Sequence, residues 1–187
     1  MQAHAMTEGE RDETASDPFC GFNVGSTVYR AAIDRDAAPR RFIFESPVLR
    51  LASDFGYSDV YENGNDIMDA DWQPRSGNAG IASRSVVVYR YYDSGSTLFG
   101  EGKPSPIETY ARGLDTLILR VRELVCAQEA GALAPQDFRC YLVAHSMGGL
   151  VVRAFLQNPA LGSAAARAAV DKIFTYATPH NGIEVAG

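Results

Sequence analysis

Cysteine, histidine and tryptophan are scarce: three, three and one among 187 residues. Three cysteines (Cys20, Cys126 and Cys140) are too few, and odd in number, for a disulfide framework. That excludes a small disulfide-stapled scaffold and reads as a reduced, cytoplasmic protein. Positive charge is also short, with 17 Lys and Arg against 23 Asp and Glu and a net charge of −6. A nucleic-acid partner is therefore not expected, because neutralising phosphates takes a basic stripe. No uncharged apolar run approaches the roughly 18 residues needed to span a bilayer, so no transmembrane segment is expected. The opening "MQAHAMTEGERDETASDP" has neither the basic start nor the apolar run of a signal peptide. It is polar and acidic, and residues 1–22 are expected to form a disordered tail. What remains, 23–187, suits one globular domain portion: the chain is 46% hydrophobic and 21% charged, enough to bury a core.

Hydrophobic patterning gives an alternating order of elements. "STVYRAAI" (26–33) and "RRFIFESPV" (40–48) read as strands, the second on its Phe42-Ile43-Phe44 run. An irregular stretch, 49–85, follows, mixing Asp54, Asp59, Glu62, Asp66, Asp69 and Asp71 with Phe55, Tyr57, Tyr61 and Trp72. "SVVVYRYYDSG" (85–95) is β-branched and aromatic and reads as a strand. Ser105-Pro106-Ile107-Glu108 then supplies a cap, a proline at the first helical position and a glutamate at the third. Apolar residues recur at helical spacing from Ile107 to Val125, and Gly131 is a plausible stop. "DFRCYLVAH" (137–145) predicts a buried strand, "GGLVVRAFLQNP" (148–159) a helix, and "VDKIFTYAT" (170–178) a last strand. Strands separated by helices favour a doubly wound, mostly parallel sheet with helices on both faces. Sites in such sheets lie at the carboxyl ends of the strands.

Ser146 falls at such an end. In a nucleophile elbow the serine occupies a tight strand-to-helix turn, and the residues two before and two after it must be small for the turn to close. Ala144-His145-Ser146-Met147-Gly148-Gly149 meets that demand, with alanine in place of the first glycine. The backbone N–H of Met147, opening the helix, is placed to donate to the oxyanion of a tetrahedral intermediate. Ser146 is the candidate nucleophile.

"VAHSMGGLVVR" resembles the elbow of α/β-hydrolases of the lipase and esterase type. "IFTYATPHNG" (173–182) resembles the TPHxG segment that such lipases and GPI-deacylase-like hydrolases carry after the following strand. The resemblance covers roughly residues 40 to 187 in element order. It implies a serine hydrolase of carboxylic or lipid esters that works through an acyl-enzyme, without metal or organic cofactor. It also implies that Thr178, Pro179 and His180 shape the edge of the site.

Two departures qualify this pattern. The superfamily's other oxyanion donor comes from a loop after an early strand, often His-Gly. Here that position holds Glu45, Ser46 and Pro47. The superfamily's chain order, moreover, is serine, then acid, then histidine. After Ser146 come Asp171, Glu184 and a single histidine, His180. Asp171 starts its strand, roughly 20 Å from the carboxyl edge at about 3.3 Å per residue. No histidine follows Glu184. His180 would be the base only against the family order, and His145 leaves the strand toward the other face of the turn. The expectation is that 23–187 is the N-terminal part of such a domain, with acid and histidine beyond Gly187.

An acyltransferase on the same elbow, and a non-catalytic hydrolase-like protein, stay open as alternatives. Oligomeric state is not legible. Asp54-Phe55-Gly56 lacks the other kinase motifs, and Lys103 is out of register for a phosphate loop. The acids of 54–71 miss calcium-loop spacing and read as a solvated loop. Cys126 and Cys140 read as packed thiols, and Tyr89, Tyr91 and Tyr92 as packing residues.

Overall fold

The computed structural model describes residues 27–30, 40–43, 51–52, 54–60, 65, 67–91, 103–128 and 133–182. The expected tail, Cys20, the Glu45–Pro47 loop, Tyr92, Gly131 and Glu184 lie outside them. The chain divides into two compact units, Met1–Val88 and Tyr89–Gly187.

In the first unit, β1 (Thr27–Arg30) and β2 (Arg40–Ile43) pair antiparallel, Thr27 opposite Ile43 and Arg30 opposite Arg40. The stretch expected to be irregular contributes β3 (Ser58–Asp59), parallel to β4 (Ser85–Val86). Its core is Val60, Ile67, Trp72 and Ile81, all buried. The Trp72 indole donates to the Val60 carbonyl at 2.7 Å, so its one polar atom is satisfied inside this core. The Arg84 guanidinium lies 5.9 Å from the Tyr57 ring centre and donates to the Phe55 carbonyl at 3.3 Å. The acids Asp54, Asp69 and Asp71 are exposed. Among the described residues no cluster of three His, Cys, Asp or Glu side chains is disposed to hold a metal ion.

The second unit holds α1 (Ile107–Gln128), β5 (Cys140–His145), α2 (Met147–Gln157), α3 (Ala164–Ala169) and β6 (Val170–Tyr176). α1 begins one residue later than its sequence suggests. The Pro106 carbonyl accepts from Thr109 N at 3.0 Å, and Ile107 is the first helical residue. The apolar spacing holds: Tyr110, Ala111, Leu114, Leu117, Ile118, Leu124 and Val125 are buried along one face. That face packs on α2, whose Val151 and Phe155 are the largest fully buried side chains.

The chain returns from α2 to β6 through a tied-down turn. Asp115 on α1 accepts from both the amide and the hydroxyl of Ser163, each at 2.7 Å. Ser163 in turn caps α3 by accepting from Ala166 N. Of the strand expected over 85–95, the described residues 85–91 hold only Ser85–Val86 in a strand. Tyr89 and Tyr91 instead turn onto α1: the Tyr89 hydroxyl donates to the Tyr110 carbonyl at 2.9 Å, and the Tyr91 ring lies 4.8 Å from that of Tyr110. Gly113 admits this contact, since a Cβ there would lie 3.2 Å from the Tyr89 ring carbon bearing the hydroxyl.

β5 and β6 pair in parallel, Leu142 opposite Ile173 and His145 opposite Tyr176, with their carboxyl ends level. α2 packs on the face carrying Ala144. On the other face Tyr141, Val143, Phe174 and Tyr176 are each about half exposed. Among the described residues, helices therefore cover one side of this pair. None of the described helices is long and apolar enough to cross a membrane.

Candidate active site

The sheet ends at a corner. His145 is the last residue of β5, Met147 the first of α2, and Ser146 alone makes the turn. Its φ is 51° and its ψ −123°. That ψ puts it outside even the small left-handed well near ψ of about +30 to +60°. Such a conformation in a residue with a Cβ costs about 1–3 kcal/mol and persists only where neighbours enforce it. Two backbone bonds do so: Ser146 N donates to the Tyr176 carbonyl at 2.8 Å, and Gly149 N donates to the Ser146 carbonyl at 3.1 Å.

Serine at a helix N-cap normally turns its hydroxyl onto the first-turn amides. Ser146 does not; its side chain makes no capping bond. The first-turn N–H groups, Met147's among them, are those an α-helix leaves without intrahelical partners. Corner geometry thus presents a hydroxyl without a partner among the described residues, beside donors and the positive end of α2. Met147 is 37% exposed, so the corner faces solvent.

The small residues divide unequally. Ala144 is buried, 7% exposed. A Cβ on Gly148 would sit 3.7 Å from the Ala144 Cβ and 3.5 Å from the Tyr91 hydroxyl, ordinary contacts. A Cβ on Gly149 would lie 2.8 Å from the Thr178 Cβ and closer still to its Oγ1. Gly149 is the stricter glycine, although elbow spacing points to Gly148.

The segment after β6 packs onto this corner. Ala177 has φ of 50°, and the turn Pro179–Gly182 closes through Gly182 N on the Pro179 carbonyl at 3.0 Å. Gly182, at φ +87°, supplies a conformation side chains disfavour, which accounts for the glycine of the segment. Arg153 on α2 donates to the His180 carbonyl at 3.1 Å, and the His180 Nε2 lies 3.4 Å from Thr175 Oγ1. A groove of about 320 Å³ runs beside α2 between Gly149, Val152, Leu156, Ile173 and His180.

Of the expected site residues, Ser146, Met147, Gly148, Gly149 and Thr178 are thus brought together. His145 pairs with Tyr176 in the strand register. Among the described residues no hydrogen bond joins Ser146 to His145 or His180. Asp171 lies at the far end of β6, 3.6 Å from Lys172 in an exposed ion pair. Sequence reading missed Tyr176, Ala177 and Arg153, whose roles are backbone contacts across turns. The doubled glycine was the one signal of a close approach at 149.

Residues 110–186 match the family model of the PGAP1-like alpha/beta domain. That is an α/β-hydrolase-type family. The PGAP1-like stretch runs from the buried Tyr110 of α1 through the Ser146 corner and the turn after β6. No curated protein and no solved structure matches the chain.

Proposed function

We propose that the chain carries the nucleophile of a serine hydrolase acting on carboxylic or lipid esters, with Ser146 in that role. The observation that carries this reading is the Ser146 backbone: a strained φ of 51° on a residue whose hydroxyl does not cap its helix. Strain of this kind clusters at active sites, where the surrounding structure holds it. The PGAP1-like match over 110–186 supports the hydrolase class.

In this mechanism Ser146 Oγ attacks the ester carbonyl and its proton passes to a general base. The tetrahedral oxyanion accepts from the Met147 N–H, at the point where charge develops. Collapse expels the alcohol, which takes the proton from the base, and leaves an acyl-enzyme. Water then releases the acid. Ala144 and Gly148 keep the turn tight, and Thr178, Pro179 and His180 border it. The parallel β5–β6 pair is, on this reading, part of a doubly wound sheet. Metal and organic cofactors have no role in these steps.

Labelling by a fluorophosphonate, with the adduct located by peptide mass spectrometry, tests the reading. An adduct on Ser146 that vanishes in Ser146→Ala supports it, and an adduct elsewhere or none overturns it. Among the described residues no histidine is bonded to Ser146, which favours a second reading, a hydrolase-like protein without catalysis. That reading predicts no hydrolysis of an activated ester above background.

A further inference from the structure

Two strained residues stand side by side at the carboxyl edge of the sheet. His145 and Tyr176 are partners in the parallel register, so the next residues, Ser146 and Ala177, leave adjacent strands together. Neither is glycine, yet their φ values are 51° and 50°. The bond from Ser146 N to the Tyr176 carbonyl, 2.8 Å, ties one corner to the other.

Ala177's turn has a specific consequence for Thr178. It carries the Thr178 side chain onto the first turn of α2, against Gly149, where any Cβ would collide with it. The colliding atoms include Thr178's own Cβ at 2.8 Å, which rotation about χ1 cannot move away. Thr178 Oγ1 is buried and has no hydrogen-bond partner among the described residues. A buried hydroxyl without a partner is a cost to the fold, so polarity does not explain the residue. Shape does: the β-branched side chain has a stiff χ1 and fills the space that Gly149 leaves.

We propose that Thr178 is a positioning residue for Ser146, a steric buttress that fixes the first turn of α2 relative to β6 and so sets the direction of the Ser146 hydroxyl. Gly149 is the position that admits it. The proposal rests on the reading of Ser146 as nucleophile, and it acts through packing, not through contact with substrate.

The test is a double-mutant cycle in the full chain with two readouts. One is the rate of fluorophosphonate labelling at Ser146. The other is hydrogen exchange of the Ser146 amide, which needs no chemistry. Gly149→Ala is expected to slow labelling by on the order of tenfold or more and to speed that exchange, since small displacements of a reacting group are costly. Thr178→Gly in the same chain makes room for the new methyl. The pair is expected to recover labelling to within about threefold of Thr178→Gly alone, a coupling that independent sites do not show. Thr178→Val keeps the β-branched shape, removes a hydroxyl that has no partner among the described residues, and should label within about threefold of the parent.

Additive effects of the two changes, or Gly149→Ala leaving both readouts at parental values, overturn the buttress. So does a tenfold loss in Thr178→Val, which would assign the role to the hydroxyl. If the parent forms no adduct on Ser146 while the exchange cycle still shows coupling, the nucleophile reading fails and the buttress between 149 and 178 stands.

Discussion

The corners after β5 and after β6 start alike and end differently. Each takes a non-glycine residue to a φ near +50° at the same level of the sheet. After Ser146 the chain enters an 11-residue helix, and the serine hydroxyl makes no capping bond to it. After Ala177 it enters a tight turn, and the next side chain, Thr178, is spent on packing against Gly149. Strain therefore serves two ends here. At 146 it presents a group, and at 177 it delivers a support. A positive φ alone does not mark a reactive residue; what its side chain does next decides.

The largest expected effect on stability that separates the two glycines of the elbow comes from alanine at each. Gly149→Ala forces a methyl into the Thr178 side chain, and overpacking of this kind costs about 1–3 kcal/mol. Gly148→Ala meets only ordinary contacts and should cost less than about 1 kcal/mol. Urea unfolding of the two variants checks this, and equal losses would break the assignment of Gly149 as the stricter site.

Next in size are the strained residues themselves. Ala177→Gly relieves about 1–2 kcal/mol of left-handed strain at an entropic cost of about 0.5–1 kcal/mol. A net gain of roughly 0.5–1 kcal/mol is expected in denaturant melts. Ser146→Gly should exceed Ser146→Ala in stability by a similar margin, because alanine keeps the strain. A gain at one corner and none at the other would show that the two φ values are not equally costly.

The tyrosine packed against α1 gives a pH test. Burial, with Tyr110 adding to it, pushes Tyr89 from 10.0 up to about 12. The folded chain thus holds this proton where the unfolded chain releases it. Its stabilising contribution is complete below the unfolded value and fades as pH rises through that window toward the folded value. Unfolding measured across that range should lose stability more steeply in the parent than in Tyr89→Phe. The smallest effect is at the start of β5. Burial pushes the Cys140 thiol up to about 11, so iodoacetamide should modify it more slowly in the folded chain than after unfolding.

Much of the second unit was legible in the sequence because its signals are local. Helical spacing from Ile107 to Val125 names the buried face of α1, and small residues around Ser146 name the corner. Of the expected strand over 85–95, the described residues 85–91 realise only Ser85–Val86. β-branched and aromatic residues signal a half-buried surface as much as a strand, and Tyr89 and Tyr91 meet that demand against α1. The core of the first unit was illegible for another reason. Trp72 reaches the Val60 carbonyl twelve residues away inside a stretch without periodicity. The contact of Thr178 with Gly149 spans a helix, a turn and a strand, and no local pattern encodes it.

The central claim is that Ser146 is a nucleophile, and the most direct measurement is mass spectrometry of the chain after fluorophosphonate treatment, beside Ser146→Ala. One adduct per chain, on the peptide containing Ser146 and absent from the variant, is the expected result. Equal labelling of parent and variant, or no adduct at Ser146, would contradict the account.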